Sequence, residues 1–255
     1  MKNLKLLTLG LASIAFGASS GFPNPFHSST RIVADGQADF EYERIDRNNA
    51  ALLIVDHQTG LFSVVRDFSP AEFSQQILAH AALGRMFDLP TIITTSTETG
   101  PNGPVPEAIL EMHPNATIIP RPGEINAWDN DDFRAAVEAT GKRHLIIGGI
   151  VTDACTVTLA LALRDAGYSV WANVEASGTT ATLLRDVSNS RMERAGVQLL
   201  SWFGIVAELW ADWRNPPGSA AMLEYMAEHF PVYTYLIQSH EHAVLNGTLF
   251  DDDEE

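Results

Sequence analysis

Six short apolar runs divide the chain: AALLIVD (50–56), PTIITTS (90–96), ATIIP (116–120), HLIIGGI (144–150), YSVWANV (168–174) and VQLLSWF (197–203). They are β-branched-rich and continuous rather than alternating, which predicts strands buried on both faces. Between them lie longer segments of helical spacing, at 70–87, 129–142, 153–167 and 180–196, three of which end at or close to a glycine. Strand-helix alternation of this kind predicts an α/β fold. The expected form is a Rossmann-like three-layer sandwich, with a mainly parallel six-stranded sheet and helices on both faces. Residues 204–245 read as mostly helical, broken at RNPPGS, and are expected to pack outside the sheet or against another subunit.

The N-terminus departs from this pattern. MKNLKLLTLGLASIAFGASS has a basic start at Lys2 and Lys5, an apolar run from Leu6 to Phe16 and small residues from Gly17 to Ser20. This is the succession of a secretory signal peptide, assigned here to 1–20, and the apolar run is too short to span a bilayer. The alternative is an uncleaved buried helix. The signal places the protein in the periplasm or outside the cell, with no membrane insertion after cleavage. Residues 21–45, rich in Pro, Gly and Ser, read as an N-terminal arm.

Composition narrows the partners. The 255 residues carry a net charge of −16, and removal of residues 1–20, which hold two lysines and no acid, takes this to −18. Such a surface repels nucleic acid. The final DDDEE (251–255) reads as a solvated tail. There is a single cysteine, Cys155, so in an oxidising compartment the thiol is either free or intermolecular.

Ligands of open α/β sheets sit at the carboxyl ends of the strands, so the residues just after each apolar run are the candidates for chemistry. Asp56 closes the first run, Arg121 comes after the third and Cys155 after the fourth, and the fold would gather all three on one edge. Each has a plainer reading: Asp56 as a turn or helix cap, Arg121 as a turn-flanking surface charge, Cys155 as an inert core residue. Position in the first turn of a helix favours a reactive thiol, because the helix dipole and its free N–H groups lower a thiol pKa. Asn126, Trp128 and Thr152 are candidates for the substrate pocket, and Phe62, Phe68, Trp128 and Trp202 shape either that pocket or the core. No cofactor and no metal are expected: His57 adjoins Asp56 but would point to the opposite face, and HEH at 240–242 reads as a polar helix or tail.

These residues resemble the isochorismatase-like cysteine hydrolases, which place an Asp after the first strand, a basic residue after the third and a Cys in a G-[IV]-x-T-x-x-C turn. Here these are Asp56, Arg121 and GIVTDAC (149–155). The stretches IVDHQTG, TSTETGPNGP, RPGEINAWDNDDF and EASGT are similar to the YcaC-like branch in particular. The resemblance implies a hydrolase domain over 46–215, then a C-terminal helical extension and acidic tail at 216–255. It also implies Cys155 as nucleophile, Asp56 as general base, an electrostatic Arg121 where most relatives have Lys, and backbone N–H groups of Val151 and Cys155 as oxyanion donors. A cis Ile150–Val151 peptide and assembly into a homo-oligomer are implied too. For the oligomer, Leu223, Tyr225, Met226, Phe230, Tyr233 and Leu236 stand out as surplus apolar residues. The function expected is cleavage of an amide-type C–N bond of a small molecule. A thiol-based redox role and a non-catalytic assembly on the same fold are the alternatives.

Overall fold

The computed structural model describes residues 31–32, 38–39 and 42–248; the signal segment, most of the arm and the acidic terminus lie outside the described residues. Arg31–Ile32 pairs antiparallel with Ala38–Asp39 within a unit that ends at Glu41, and the chain from Tyr42 forms a second unit.

That second unit is built on six strands: β1 (Ala50–Val55), β2 (Thr91–Ser96), β3 (Thr117–Arg121), β4 (His144–Gly149), β5 (Ser169–Asn173) and β6 (Gln198–Leu200). Every pairing is parallel and the spatial order is β3-β2-β1-β4-β5-β6. This is the doubly wound arrangement, in which the winding direction reverses between β1 and β4. The central strand shows why the sequence reads as continuously apolar. All six residues of β1 are buried; Ala50, Leu52 and Ile54 enter one core cluster while Ala51, Leu53 and Val55 enter another. Successive side chains alternate between faces, so a strand covered on both sides needs apolar residues throughout.

One face is covered by α1 (Pro70–Phe87), α6 (Trp202–Trp210) and α7 (Ser219–His229), which supply Leu83, Phe87, Trp202, Ile205, Met222 and Met226 to the first cluster. The other is covered by α3 (Asp131–Ala139), α4 (Val157–Asp165) and α5 (Thr182–Arg194), through Phe133, Leu159, Leu163 and Met192. Local sequence fixes the helix starts. Ser69 and Glu72 form a reciprocal capping box at α1, and Asn130 caps α3 by accepting from Phe133 N.

The structure departs from the sequence expectation in definable places. The sixth run ends as a strand at Leu200, because Ser201 accepts a hydrogen bond from Gly204 N and starts α6, which carries Trp202 into the core. A short helix, α2 (Glu107–Met112), begins after Pro106 where none is expected. The tail region holds α7 and α8 (Pro231–Leu245). Of the residues expected to be surplus there, Tyr225 and Met226 are core, and Phe230 and Tyr233 pack against it. Leu236 is exposed as expected, and Val232, Tyr235 and Leu245 are the other exposed apolar side chains of α8. Among the described residues no helix is long and apolar enough to cross a membrane.

Candidate active site at the sheet switch point

Strands β1 and β4 flank the reversal, and the chain leaving each carries a candidate residue. Asp56 comes directly after β1 with a left-handed backbone (φ 54°), a conformation that costs a non-glycine residue of order 1 kcal/mol. It is held there by Asp56 N donating to Thr94 O at 2.9 Å and by Gln58 N donating to Asp56 O at 2.7 Å. Arg121 is the last residue of β3, and Asp56 accepts from its Nη2 through both carboxylate oxygens at 2.5 Å. Neither side chain of the pair is exposed. The sequence singles out Asp56, Arg121 and Cys155; Thr94 carries no such signal, yet it joins the first two. Its carbonyl holds the Asp56 backbone, and its Oγ1 accepts from Arg121 Nε at 2.9 Å.

After β4 the peptide bond Ile150–Val151 is cis. The next residues, Thr152–Thr156, form a π-helical turn closed by Thr156 N donating to Val151 O at 3.3 Å, and regular α4 begins only at Val157. Single π turns recur at functional sites. Cys155 therefore precedes the α-helix instead of occupying its first turn. The glycine at 149 is required by close approach: a Cβ there would lie 2.9 Å from Val55 O and from Thr156 Oγ1.

The Cys155 thiol and the Asp56 carboxylate lie close enough to shift each other's pKa, and the Val151 backbone acts on the sulfur as well. Burial raises the Cys155 pKa to about 12, and the neighbouring Asp56 charge adds to the rise; Arg121 and the Val151 backbone counteract it only in part. This departs from the lowered pKa expected of a helix terminus: Arg121 is turned to Asp56, and burial favours the thiol form. Burial likewise lifts the Asp56 carboxyl above its ordinary range, against the pull of Arg121 and of Cys155. A raised carboxyl beside a thiol is suited to take its proton during attack.

A loop after β5 clamps this turn. Thr152 N donates to Gly178 O at 3.0 Å, Gly149 N to Ser177 Oγ at 3.4 Å, and Thr179 Oγ1 to Asp153. Two buried histidines hold the loop from behind. His57 Nε2 donates to Ala176 O at 2.8 Å, and His80 Nε2 to Leu53 O at 3.2 Å. The carbonyl partners fix the Nε2–H tautomer of both rings. His80 Nδ1 therefore accepts from Asn173 Nδ2, which leaves Asn173 Oδ1 for Glu175 N and Ala176 N. His57, which strand alternation would point away, is thus tied to the site by the turn after β1.

The pocket candidates separate. Trp128 is half-buried, meets Tyr168 edge-on at 5.8 Å and borders the same core cluster as Cys155. Asn126 is occupied as a cap, its Oδ1 accepting from Trp128 N. Thr152 is fully buried with its hydroxyl unpartnered. Phe62 and Phe68 are partly exposed around Phe73 and pack with Val151 against a third cluster, whereas Trp202 is core. Among the described residues no group of three or more His, Cys, Asp or Glu is placed to hold a metal ion.

Burial lowers His57 to about 4 and His80 to about 3. Both are neutral in the fold, whereas an unfolded histidine titrates near ~6.5. Their contribution is therefore complete above about pH 6.5 and is lost as pH falls toward about 4, by about 3 kcal/mol for His57 alone. The urea midpoint is expected to drop across that window. His57→Gln should lower it overall but flatten its pH slope; an unchanged slope would show that His57 does not drive the loss.

Fold and site together define a doubly wound α/β protein with a thiol, a carboxylate and a guanidinium at the switch point of its sheet. The family model of the Isochorismatase domain matches residues 50–202. The Escherichia coli (strain K12) protein described as probable hydrolase YcaC is 46% identical over 200 residues, which cover 78% of this chain and 95% of that protein. The solved YcaC from Pseudomonas aeruginosa, with hexane-2,5-diol and covalent acrylamide, is 50% identical, with a TM-score of 0.77 over 80% of this chain and all of that one. The E. coli YcaC crystal structure, described as an octameric hydrolase of unknown specificity, gives a TM-score of 0.78 and 46% identity over 80% and 99% of the two chains. The chain belongs to the isochorismatase family of hydrolases, in its YcaC-like branch.

Proposed function

We propose that the protein hydrolyses an amide-type C–N bond of a small molecule, with Cys155 as nucleophile and Asp56 as general base. The observation that carries this is a thiol beside a fully buried Asp56–Arg121 pair, close enough that thiol and carboxylate shift each other's pKa. As Cys155 Sγ bonds to the carbonyl carbon, its proton passes to Asp56 and the oxygen becomes an oxyanion, for which the Val151 N–H, whose backbone already acts on the sulfur, is one proposed donor. The backbone N–H of Cys155 is the proposed second donor. Collapse breaks the C–N bond, and Asp56 returns the proton to the leaving nitrogen. Water then attacks the thioester, giving up a proton to Asp56, and the thiol is restored as the acid product departs. Arg121 keeps Asp56 in place throughout and favours its ionised form in the resting site.

The covalent acrylamide in the P. aeruginosa relative supports a nucleophile in this branch that adds to small unsaturated amides. The test is direct. Incubation with acrylamide should add one equivalent to the peptide containing Cys155 and abolish hydrolysis of small amides in parallel. Labelling elsewhere, or full activity after labelling, would refute the assignment. A redox-sensor role is disfavoured because it calls for a low-pKa thiol.

We further propose a homo-oligomer acting in the periplasm or outside the cell. The octameric description of the E. coli relative and the exposed Leu183, Leu184 and Val187 on α5 and Tyr235 and Leu236 on α8 support assembly. The basic, apolar and small-residue succession at 1–20 supports export. Light scattering at micromolar concentration should give a mass of several subunits, and a monomer would contradict it.

A further inference from the structure

A guanidinium has five N–H donors, and in Arg121 every donor nitrogen is engaged inside the protein. Nε donates to Thr94 Oγ1 at 2.9 Å, Nη1 to Glu124 O and, at 3.4 Å, to Ile125 O, and Nη2 to both oxygens of Asp56 at 2.5 Å. The side chain is closed to solvent, and its charge is matched by that of Asp56. Nothing remains of this cation to receive a substrate carboxylate. Arg134, at the start of α3, is likewise held by Trp128 O and Asp131. Meanwhile Asp153, two residues before the nucleophile, is an exposed carboxylate. The partly exposed apolar side chains that border the two core clusters here are Phe62, Phe68, Val151 and Trp128. A carboxylate brought to Cys155 would lose water without gaining a partner, beside a chain of net charge −16.

We propose that the site takes a small uncharged carbonyl compound and excludes substrates that carry a carboxylate next to the reacting carbon. This inference rests on Cys155 being the nucleophile and adds the charge class of what it attacks. It also gives Arg121 a different task from substrate binding: it is the fixed counter-ion of the base.

The test uses two reagents of nearly equal shape, one neutral and one anionic. Iodoacetamide and iodoacetate both alkylate a thiol by forming an S–C bond and releasing iodide, with the thiol proton passing to the base. The ratio of their rates at Cys155, measured by peptide mass spectrometry on the intact assembly, is divided by the same ratio for 2-mercaptoethanol at the same pH. The quotient removes the effect of the thiol pKa. It is expected to exceed about tenfold in favour of iodoacetamide; a quotient near or below one overturns the charge inference and leaves the nucleophile assignment standing. If neither reagent labels Cys155 and Cys155→Ala still hydrolyses amides, the nucleophile assignment falls and the inference with it. Arg66, exposed on a segment whose backbone N–H donates to Thr179 O, is the cation tested as an alternative partner for a carboxylate. Arg66→Ala is expected to leave the quotient unchanged, and a rise in it would overturn the proposal.

Discussion

Asp56→Asn is expected to lower kcat by ~10²–10⁴-fold, the usual range for loss of a general base, with KM little changed. The amide keeps the shape of the carboxylate but cannot accept the Cys155 proton. A second, separable effect arises from burial. Arg121 loses the charge it is packed against, and a buried pair broken on one side destabilises by ~3–5 kcal/mol, so the variant should unfold at lower urea while still folding in buffer. The wild-type pH profile carries the same signature. Asp56 must be ionised to act, so activity falls as pH drops through its folded pKa, and because that pKa is raised the acid limb lies above the ordinary carboxylate range of ~3.9. The Asn variant should lose this limb. A limb unchanged in the variant would assign it to another group, and wild-type kcat in the variant would remove Asp56 from the mechanism.

Cys155→Ala is expected to remove ~10⁴–10⁶-fold of the turnover, as elimination of a covalent nucleophile does elsewhere, and to abolish acrylamide labelling. Folding should survive. Cys155 is not fully buried, and the substitution leaves both members of the Asp56–Arg121 pair in place. A Tm within a few degrees of wild type would separate loss of chemistry from loss of structure. Substantial hydrolysis by the Ala variant would remove Cys155 from the mechanism.

Features with a local cause are the ones legible in the sequence. Continuous apolar runs locate all six strands, but burial on both faces explains the trace only for the inner ones: the edge strand β3 is largely exposed, with Ile118 at 45%, and β6 is half-buried. The run at 197–203 reads longer than the strand it marks because Trp202 and Phe203 continue the apolar pattern, while the boundary lies in the cap formed by Ser201. α2 has six residues, too few for a period to register. Asp56, Arg121 and Cys155 are legible as strand-end residues, but the direction of the thiol pKa is not. That direction is set first by burial of the sulfur and then by the Asp56 charge, which Arg121, held by Thr94 and by the carbonyls of Glu124 and Ile125, offsets only in part. Backbone acceptors have no sequence signature. His57 escapes the sequence reading for a related reason: strand alternation ends at Val55, and the left-handed Asp56 re-aims the residues after it.

The central place of β1 has a consequence for how the protein comes into being. Its neighbours in the sheet are β2 and β4, and parallel neighbours cannot be joined by a tight turn. Asp56 and Arg121 are separated by 65 positions, and β4 lies further along the chain. Pairings of such high contact order form slowly and late. On a ribosome that releases ~5–20 residues per second from the N-terminus, Asp56 emerges several seconds before either partner and stays solvated, with an ordinary acidity. The proton acceptor is thus created by the closing of the sheet, and a nascent chain carries its thiol as an ordinary free cysteine, open to any oxidant, until the last central strand has docked.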